Sequence, residues 1–358
     1  ASEALHPDLA LMTLGQGHEA YGRYAQGRGG NPAALLQSDT CASGQPVTLR
    51  ALKAIAATGR RLKLAHTDGS RTQYGRKIAL STTISNDHEG HGKAGDHAPG
   101  LTMETFPLTL PLPEGYDDKR DIYPPHEHDG YRWGMVVDLD RCIGCGACSA
   151  ACYAENNIGV VGEERIVEGR EMAWLRIERY LDPNDPTRVA FFPLMCQHCD
   201  NAPCEPVCPV YAPHHGKEGL NNQIYNRCIG TRFCAQNCPY KARRFNWFDW
   251  QWPSPMDEQL NPNVTVRSKG VMEKCSFCVQ RIKEAHGLAK NEDRRIRDGE
   301  IMPACVQTCP TGALVFGDLS DKKSRVRRLT DDPRAYQAMG YLNIKPAVIY
   351  LKKVVQEI

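Results

Sequence analysis

Apolar and polar residues alternate over residues 174–180, the period of a strand with one buried face. Residues 273–286 instead space their apolar positions three and four apart, which predicts a helix just after Cys275 and Cys278. Residues 347–351 form a short apolar run, a strand or helix able to tie down the C-terminal end, and the charged stretch 318–342 reads as partly helical. Near the start, residues 33–36 begin a short helix after Asn31-Pro32. Residues 47–86 read as β, with strands at 61–67 and 70–80 flanking the hairpin turn Asp68-Gly69. Residues 86–130 are rich in Gly, Pro, His and Asp and show no period, so they read as an extended linker wrapped over a surface. No run approaches the eighteen apolar residues of a membrane-spanning helix.

Composition sharpens this picture in two ways. An apolar fraction of 41% supports a real core, yet 31 Gly and 24 Pro divide it into short elements joined by many turns. The 358 residues suffice for one large domain or two ordinary ones. A formal charge of +2 is too small to argue for nucleic acid or an anionic membrane as partner. No basic-then-apolar leader is visible, and the chain begins at Ala1 rather than Met. It therefore reads as processed or as a piece of something longer, with any export signal upstream or on a partner.

Cysteine changes the picture most. Residues 1–140 contain Cys41 alone, and the other fifteen cysteines lie between Cys142 and Cys309. A disulfide framework fits poorly, because such frameworks belong to short chains and lack this spacing. The first group is Cys142, Cys145, Cys148 and Cys152, the C-x2-C-x2-C-x3-C run of bacterial ferredoxins without its usual Pro. The second is Cys196, Cys199, Cys204 and Cys208-Pro209. The third is Cys228, Cys234 and Cys238-Pro239, with Thr231 where a fourth Cys is expected. The last is Cys275, Cys278, Cys305 and Cys309-Pro310. Zinc is the competing metal, but its sites pair two C-x2-C units and need no lone Cys three residues on.

In two-cluster ferredoxins the fourth Cys of each run ligates the other cluster. Joining groups one with four and two with three in this way resembles the four-cluster electron-transfer subunits of complex iron–sulfur molybdoenzymes. The implied ligand sets are Cys142, Cys145, Cys148 with Cys309; Cys275, Cys278, Cys305 with Cys152; Cys196, Cys199, Cys204 with Cys238; and Cys228, Cys234 with Cys208. A neutral Thr hydroxyl is a poor iron ligand, so the last set is expected to hold a [3Fe–4S] cluster beside three [4Fe–4S] clusters. The alternative there is a cubane with water or the Thr231 oxygen on its fourth iron. Arg227, Arg232, Lys241, Arg243 and Arg244 crowd this group and either raise its potential or form a solvated basic face. Phe245, Trp247, Phe248, Trp250 and Trp252 follow, as an interface belt or as ordinary packing.

Three stretches, 228–247, 196–204 and 271–281, resemble the iron–sulfur subunit of alternative complex III and the related quinone reductase complex of sulfate reducers. The resemblance spans about residues 130–355. It implies a polytopic quinone-binding membrane subunit next to the [3Fe–4S] end, with Thr231 and Arg232 at that cofactor, and cytochrome c subunits or another carrier as further partners. It also implies a peripheral, membrane-associated location, on the periplasmic face. Residues 15–32 more distantly resemble the C-terminal pterin-contacting segment of molybdopterin oxidoreductases. Alone the chain cannot bind a molybdopterin; a partner chain or an upstream segment would complete that domain.

The expected architecture is therefore α+β. Residues 1–86 are a small β-rich remnant of a molybdopterin-oxidoreductase C-terminal domain, 87–130 a linker, and 131–358 a double ferredoxin-like four-cluster domain. The expected role is electron transfer without a catalytic site of the chain's own. The alternative is the electron-transfer subunit of an active molybdopterin enzyme acting on a sulfur, arsenic or nitrogen oxyanion. His198 is expected to tune its cluster by hydrogen bonding or charge. His88, His91 and His97 read as solvated, His214 and His215 as loop residues, and Cys41 as a free or buried thiol.

Overall fold

The computed structural model describes residues 9–20, 22–36, 42–44, 47, 51–52, 54–56, 59, 61, 63–67, 69–84, 126, 128, 130–182 and 188–356. Cys41, His88, His91 and His97 lie outside the described residues, as does nearly all of 87–129. Two compact units emerge, residues 1–66 with 161–169, and residues 67–160 with 170–358.

In the smaller unit, backbone bonds from Gly17 N–H to the Arg28 carbonyl and from Gly27 N–H to the His18 carbonyl, both 2.9 Å, fold residues 17–28 back on themselves. A short helix, Gly22–Ala25, sits inside that loop. Pro32–Leu35 forms a 3-10 turn because the Asn31 side chain accepts from Ala33 N–H and Pro32 supplies a preset φ. Helix Gly162–Val167 belongs to this unit and offers Glu163 and Glu164 to Arg28 at 3.3 and 3.6 Å.

The larger unit is organised by a four-stranded sheet in the order Ala335–Tyr336, Val348–Leu351, Trp133–Asp138, Leu314–Asp318. Val348–Leu351 runs parallel to Trp133–Asp138, and the two outer pairings are antiparallel. The central strands are nearly continuous apolar runs because both faces are covered. Val136, Val315, Leu319, Val326, Ala347, Ile349 and Leu351 pack as one cluster. Ile349 is fully buried there, so Ile349→Val is expected to lower stability by about 0.5–1.5 kcal/mol in a denaturant melt.

The alternating segment near 174–180 is the strand Arg176–Leu181, paired antiparallel with Val189–Leu194. The helical pattern near 273–286 becomes Val279–Asn291, starting six residues later because Met272–Glu273 pairs as a strand with Arg244–Phe245. Within 318–342 the helical parts are Arg325–Leu329 and Gly340–Leu342.

The hairpin expected around Asp68-Gly69 is corrected: among the described residues of 61–80 there is no strand. The backbone there bonds to side chains instead. Gly69 N–H donates to the Glu178 carboxylate at 2.7 Å, and the Gln73 amide oxygen accepts from both Ile78 and Ala79 N–H at 2.8 Å. The strand in this region is Ser81–Ile84, parallel to Lys353–Gln356. Residues 67–84 therefore pack within the larger unit, although composition grouped them with the N-terminal segment. His214 and His215, expected in a loop, lie in the short strand Pro213–His215.

Candidate metal centres

The sheet register brings distant cysteine groups together. Trp133–Asp138 leads into the first loop, and Leu314–Asp318 leaves the last group. Their antiparallel pairing ends at Val137 opposite Leu314, where Asp138 N–H donates to the Ala313 carbonyl at 2.8 Å. Cys142 and Cys309 must then lie side by side. They line one cavity together with Cys145 and Cys148. Groups two and three are joined by the same device. Ile224 N–H donates to the Ala212 carbonyl at 2.8 Å, closing the small antiparallel pair Pro213–His215 and Asn221–Gln223. In both cases the donor stands four residues before the first Cys of one group. The acceptor stands four residues after the last Cys of the other. Cys228 is thus held beside Cys208 as Cys142 is held beside Cys309.

Electrostatic contacts place the remaining cysteines. Burial raises the Cys152 thiol well above its ordinary value, followed by the charges of Cys275, Cys278 and Cys305. Cys199 is raised likewise by burial and then by Cys196, Cys238 and Cys204. Burial also pushes Cys148, Cys204 and Cys275 up to about 12. Without metal these thiols hold their protons, so loading iron must release them.

Several backbone N–H groups are aimed at the sulfurs. Ala212 donates to Cys208 Sγ and Ala313 to Cys309 Sγ, both at 3.3 Å, and Ala242 N–H lowers the Cys238 thiol after burial has raised it. Each of these alanines follows its Cys-Pro by three residues, a repeat readable in the sequence but easily passed over. Met272 N–H reaches Cys228 Sγ at 3.3 Å, and Phe277 and Ala304 N–H reach Cys275 and Cys278 Sγ at 3.4 Å. The first group lacks the Cys-Pro ending. There the Asn156 amide donates to Cys152 Sγ at 3.6 Å and lies 3.9 Å from Cys278 Sγ. Among the described residues no three His, Cys, Asp or Glu side chains converge on a single ion. Buried thiol sets with N–H groups directed at sulfur fit iron–sulfur clusters, whose potentials depend on such bonds.

Thr231 sits in a loop shaped like the one that carries Cys145. Gly144 and Gly230 both have positive φ, 67° and 74°. A Cβ on Gly144 would meet the Phe191 ring at 2.4 Å, and one on Gly230 the Gly270 carbonyl at 2.5 Å. The next left-handed residues, Gly146 and Arg232, cap helices Ala147–Glu155 and Phe233–Asn237, which bury Cys148 and Cys234. Arg232 adopts φ 64° without being glycine, and its guanidinium stacks over Phe245 and Trp247 at 5.2 and 5.1 Å.

Neighbouring cysteine groups feel one another. Cys148 acts on Cys305, linking the first to the second, and Cys196 acts on Cys275, linking the second to the third. Arg243 faces Cys204, Cys234 and Cys196, linking the third to the fourth. Both ends are open. Cys145 is exposed beside Ile143 at one end. Thr231 is exposed between Ile229 and Phe233, themselves 65% and 55% exposed, at the other.

Of the five cations crowding the third group, Arg227, Arg232 and Lys241 are exposed, and Arg244 pairs with Glu171 at 3.0 Å. Arg243 alone is directed at the thiols. Of the aromatic residues, Trp247 is 39% exposed and Phe245, Phe248, Trp250 and Trp252 are half-buried; Phe245 lies against Trp247, and Phe248, Trp250 and Trp252 follow one another ring to ring. His198 is fully buried, stacks on Phe277 at 3.9 Å and accepts from Asn221 N–H through Nδ1. Burial, then Lys274 and Arg132, hold it well below the ordinary histidine range.

The sequence matches the 4Fe-4S dicluster domain family twice, over residues 136–212 and 187–253. It is 42% identical over 228 residues to the menaquinone reductase iron–sulfur cluster-binding subunit of Nitratidesulfovibrio vulgaris, covering 62% of this chain and 89% of that protein. Identity to the Hdr-like menaquinol oxidoreductase iron–sulfur subunit 1 of Archaeoglobus fulgidus is 36% over 248 residues, 64% and 86% of the two chains. The arsenate respiratory reductase iron–sulfur subunit of a Shewanella species is 32% identical over 250 residues, 62% and 96%.

Proposed function

Because this chain belongs to the family of iron–sulfur cluster-binding subunits that carry 4Fe-4S dicluster domains, we propose that it is the electron wire of a membrane-associated quinol/quinone oxidoreductase complex. The observation that supports this reading is the contact between successive thiol groups, with buried cysteines inside and the exposed Cys145 and Thr231 at the two edges. A wire needs its interior shielded and both termini within reach of partners.

Three [4Fe–4S] clusters and one [3Fe–4S] cluster would supply one-electron redox chemistry in the sets named above. The protein's part is to hold the thiolates, orient them with N–H bonds and exclude water. The Thr231 edge, with Ile229, Phe233 and the stacked Arg232, offers an apolar rim around one cation. We assign it to the polytopic quinone-binding subunit. The Cys145 edge then faces the next carrier, a cytochrome c in an alternative complex III arrangement on the periplasmic face. No helix among the described residues is long and apolar enough to cross a membrane. A chain or segment completing the molybdopterin-like domain is the remaining partner.

A second reading is favoured by the arsenate and tetrathionate reductase subunits among the relatives, at 32% and 29% identity. In it the Cys145 edge faces an active molybdopterin subunit. Metal analysis of the purified complex separates the two. The first expects about 15 iron atoms in this chain and no molybdenum or tungsten; either metal at one per complex selects the second.

A further inference from the structure

We propose that Arg243 is the positioning cation of the relay's last step, a fixed charge buried between the third and fourth clusters that raises the potential of both. The inference rests on the four-cluster reading above and goes beyond it by assigning the residue that sets the potentials there.

Arg243 is 5% exposed. Its Nη1 lies 3.6 Å from Cys204 Sγ, in the third set, and 3.5 Å from Asn221 Oδ1. Its Nη2 donates to the Gln223 amide oxygen. Cys234, in the fourth set, is the next thiol to act on the same guanidinium after Cys204. Other buried guanidinium groups here have a carboxylate: Arg132 has Asp200 at 2.8 Å, Arg176 has Glu178 at 2.6 Å and Arg267 has Glu273 at 2.9 Å. Among the described residues none is found for Arg243; its neighbours are amides and thiols. An unpaired buried ion costs several kcal/mol, and a guanidinium does not shed its proton to avoid that cost. The negative charge that offsets Arg243 must therefore come from the two thiolate-bound clusters it touches. Reduction adds negative charge beside a fixed positive one, so it is favoured at both. Arg281 near the second set is by contrast neutralised by Glu155 at 2.7 Å, while buried Lys274 acts on Cys275 of the second set and Cys204 of the third and stays in place in every Arg243 variant.

The test is a redox titration of the purified complex followed by electron paramagnetic resonance, with iron counted in each sample. In Arg243→Gln the reduced-to-oxidised ratio of the third and fourth clusters at fixed ambient potential should fall at least about tenfold, 59 mV for one electron. The first and second clusters should move less than about threefold. Arg243→Lys, which keeps a charge, should restore most of the shift. Should Arg243→Gln lose iron, Gln223→Glu decides: it leaves the guanidinium in place, neutralises it with a carboxylate and should lower the same two clusters. The proposal is overturned if four clusters are retained and the third and fourth stay within threefold, or if all four shift together. A wild-type protein lacking four cluster signals overturns the reading beneath it as well.

Discussion

Thr231→Cys is expected to add one iron per chain, from about 15 to about 16, and to replace the oxidised-state [3Fe–4S] resonance with a reduced-state cubane signal. The backbone already suits the change. Residue 231 lies between left-handed Gly230 and left-handed Arg232, as Cys145 lies between left-handed Gly144 and left-handed Gly146. Each loop then enters a helix that buries the next cysteine, Cys234 or Cys148. The side chain at 231 is exposed, as is Cys145, so the swap disturbs no packing and should alter folding stability by no more than about 0.5 kcal/mol. The added thiolate brings negative charge to the cluster along with the iron. Its reduction should become harder, with the reduced-to-oxidised ratio at fixed potential falling by more than about tenfold. Iron analysis and electron paramagnetic resonance check this. An unchanged iron count with a cubane signal already present in the wild type would show that water or the Thr231 oxygen serves the fourth iron.

The sequence exposed the centres unevenly, and the reason is physical. Ligand spacing is local, so the four groups and the gap at Thr231 stand out in the chain itself. Joining the groups is a long-range matter. It depends on the register of Trp133–Asp138 against Leu314–Asp318 and on the Ile224-to-Ala212 bond, which no local pattern specifies. The strong turn signal Asp68-Gly69 misled because a hairpin also needs strands that bond to each other. Here Glu178 and Gln73 supply side-chain partners for the backbone, and the chain from residue 69 folds within the larger unit. Five cations around the third group looked alike in sequence. Burial distinguishes Arg243 from Arg227, Arg232 and Lys241, and Glu171 distinguishes Arg244 from it. Asn156 gave no sequence signal, since its role depends on two sulfurs 126 residues apart along the chain (278 − 152) meeting at its amide.

That meeting yields the second large effect. Cys152 closes the first cysteine run in sequence, yet its sulfur faces Cys275, Cys278 and Cys305. Cys152→Ala should therefore damage the second cluster and leave the set lining the Cys142–Cys309 cavity intact. Paired substitutions make the assignment testable without knowing which signal belongs to which cluster, because lesions in one unit do not add and lesions in separate units do. Cys152→Ala with Cys278→Ala should cost no more than one cluster, about four irons. Cys152→Ala with Cys148→Ala, only four residues apart, should cost up to two clusters, about eight irons. Either double variant breaks the line between Cys145 and Thr231, so electron transfer from one edge to the other should fall to background in both. The iron counts separate them. If the Cys148 and Cys152 pair loses a single cluster's worth of iron, the fourth cysteine does not cross, and the order of the wire must be redrawn.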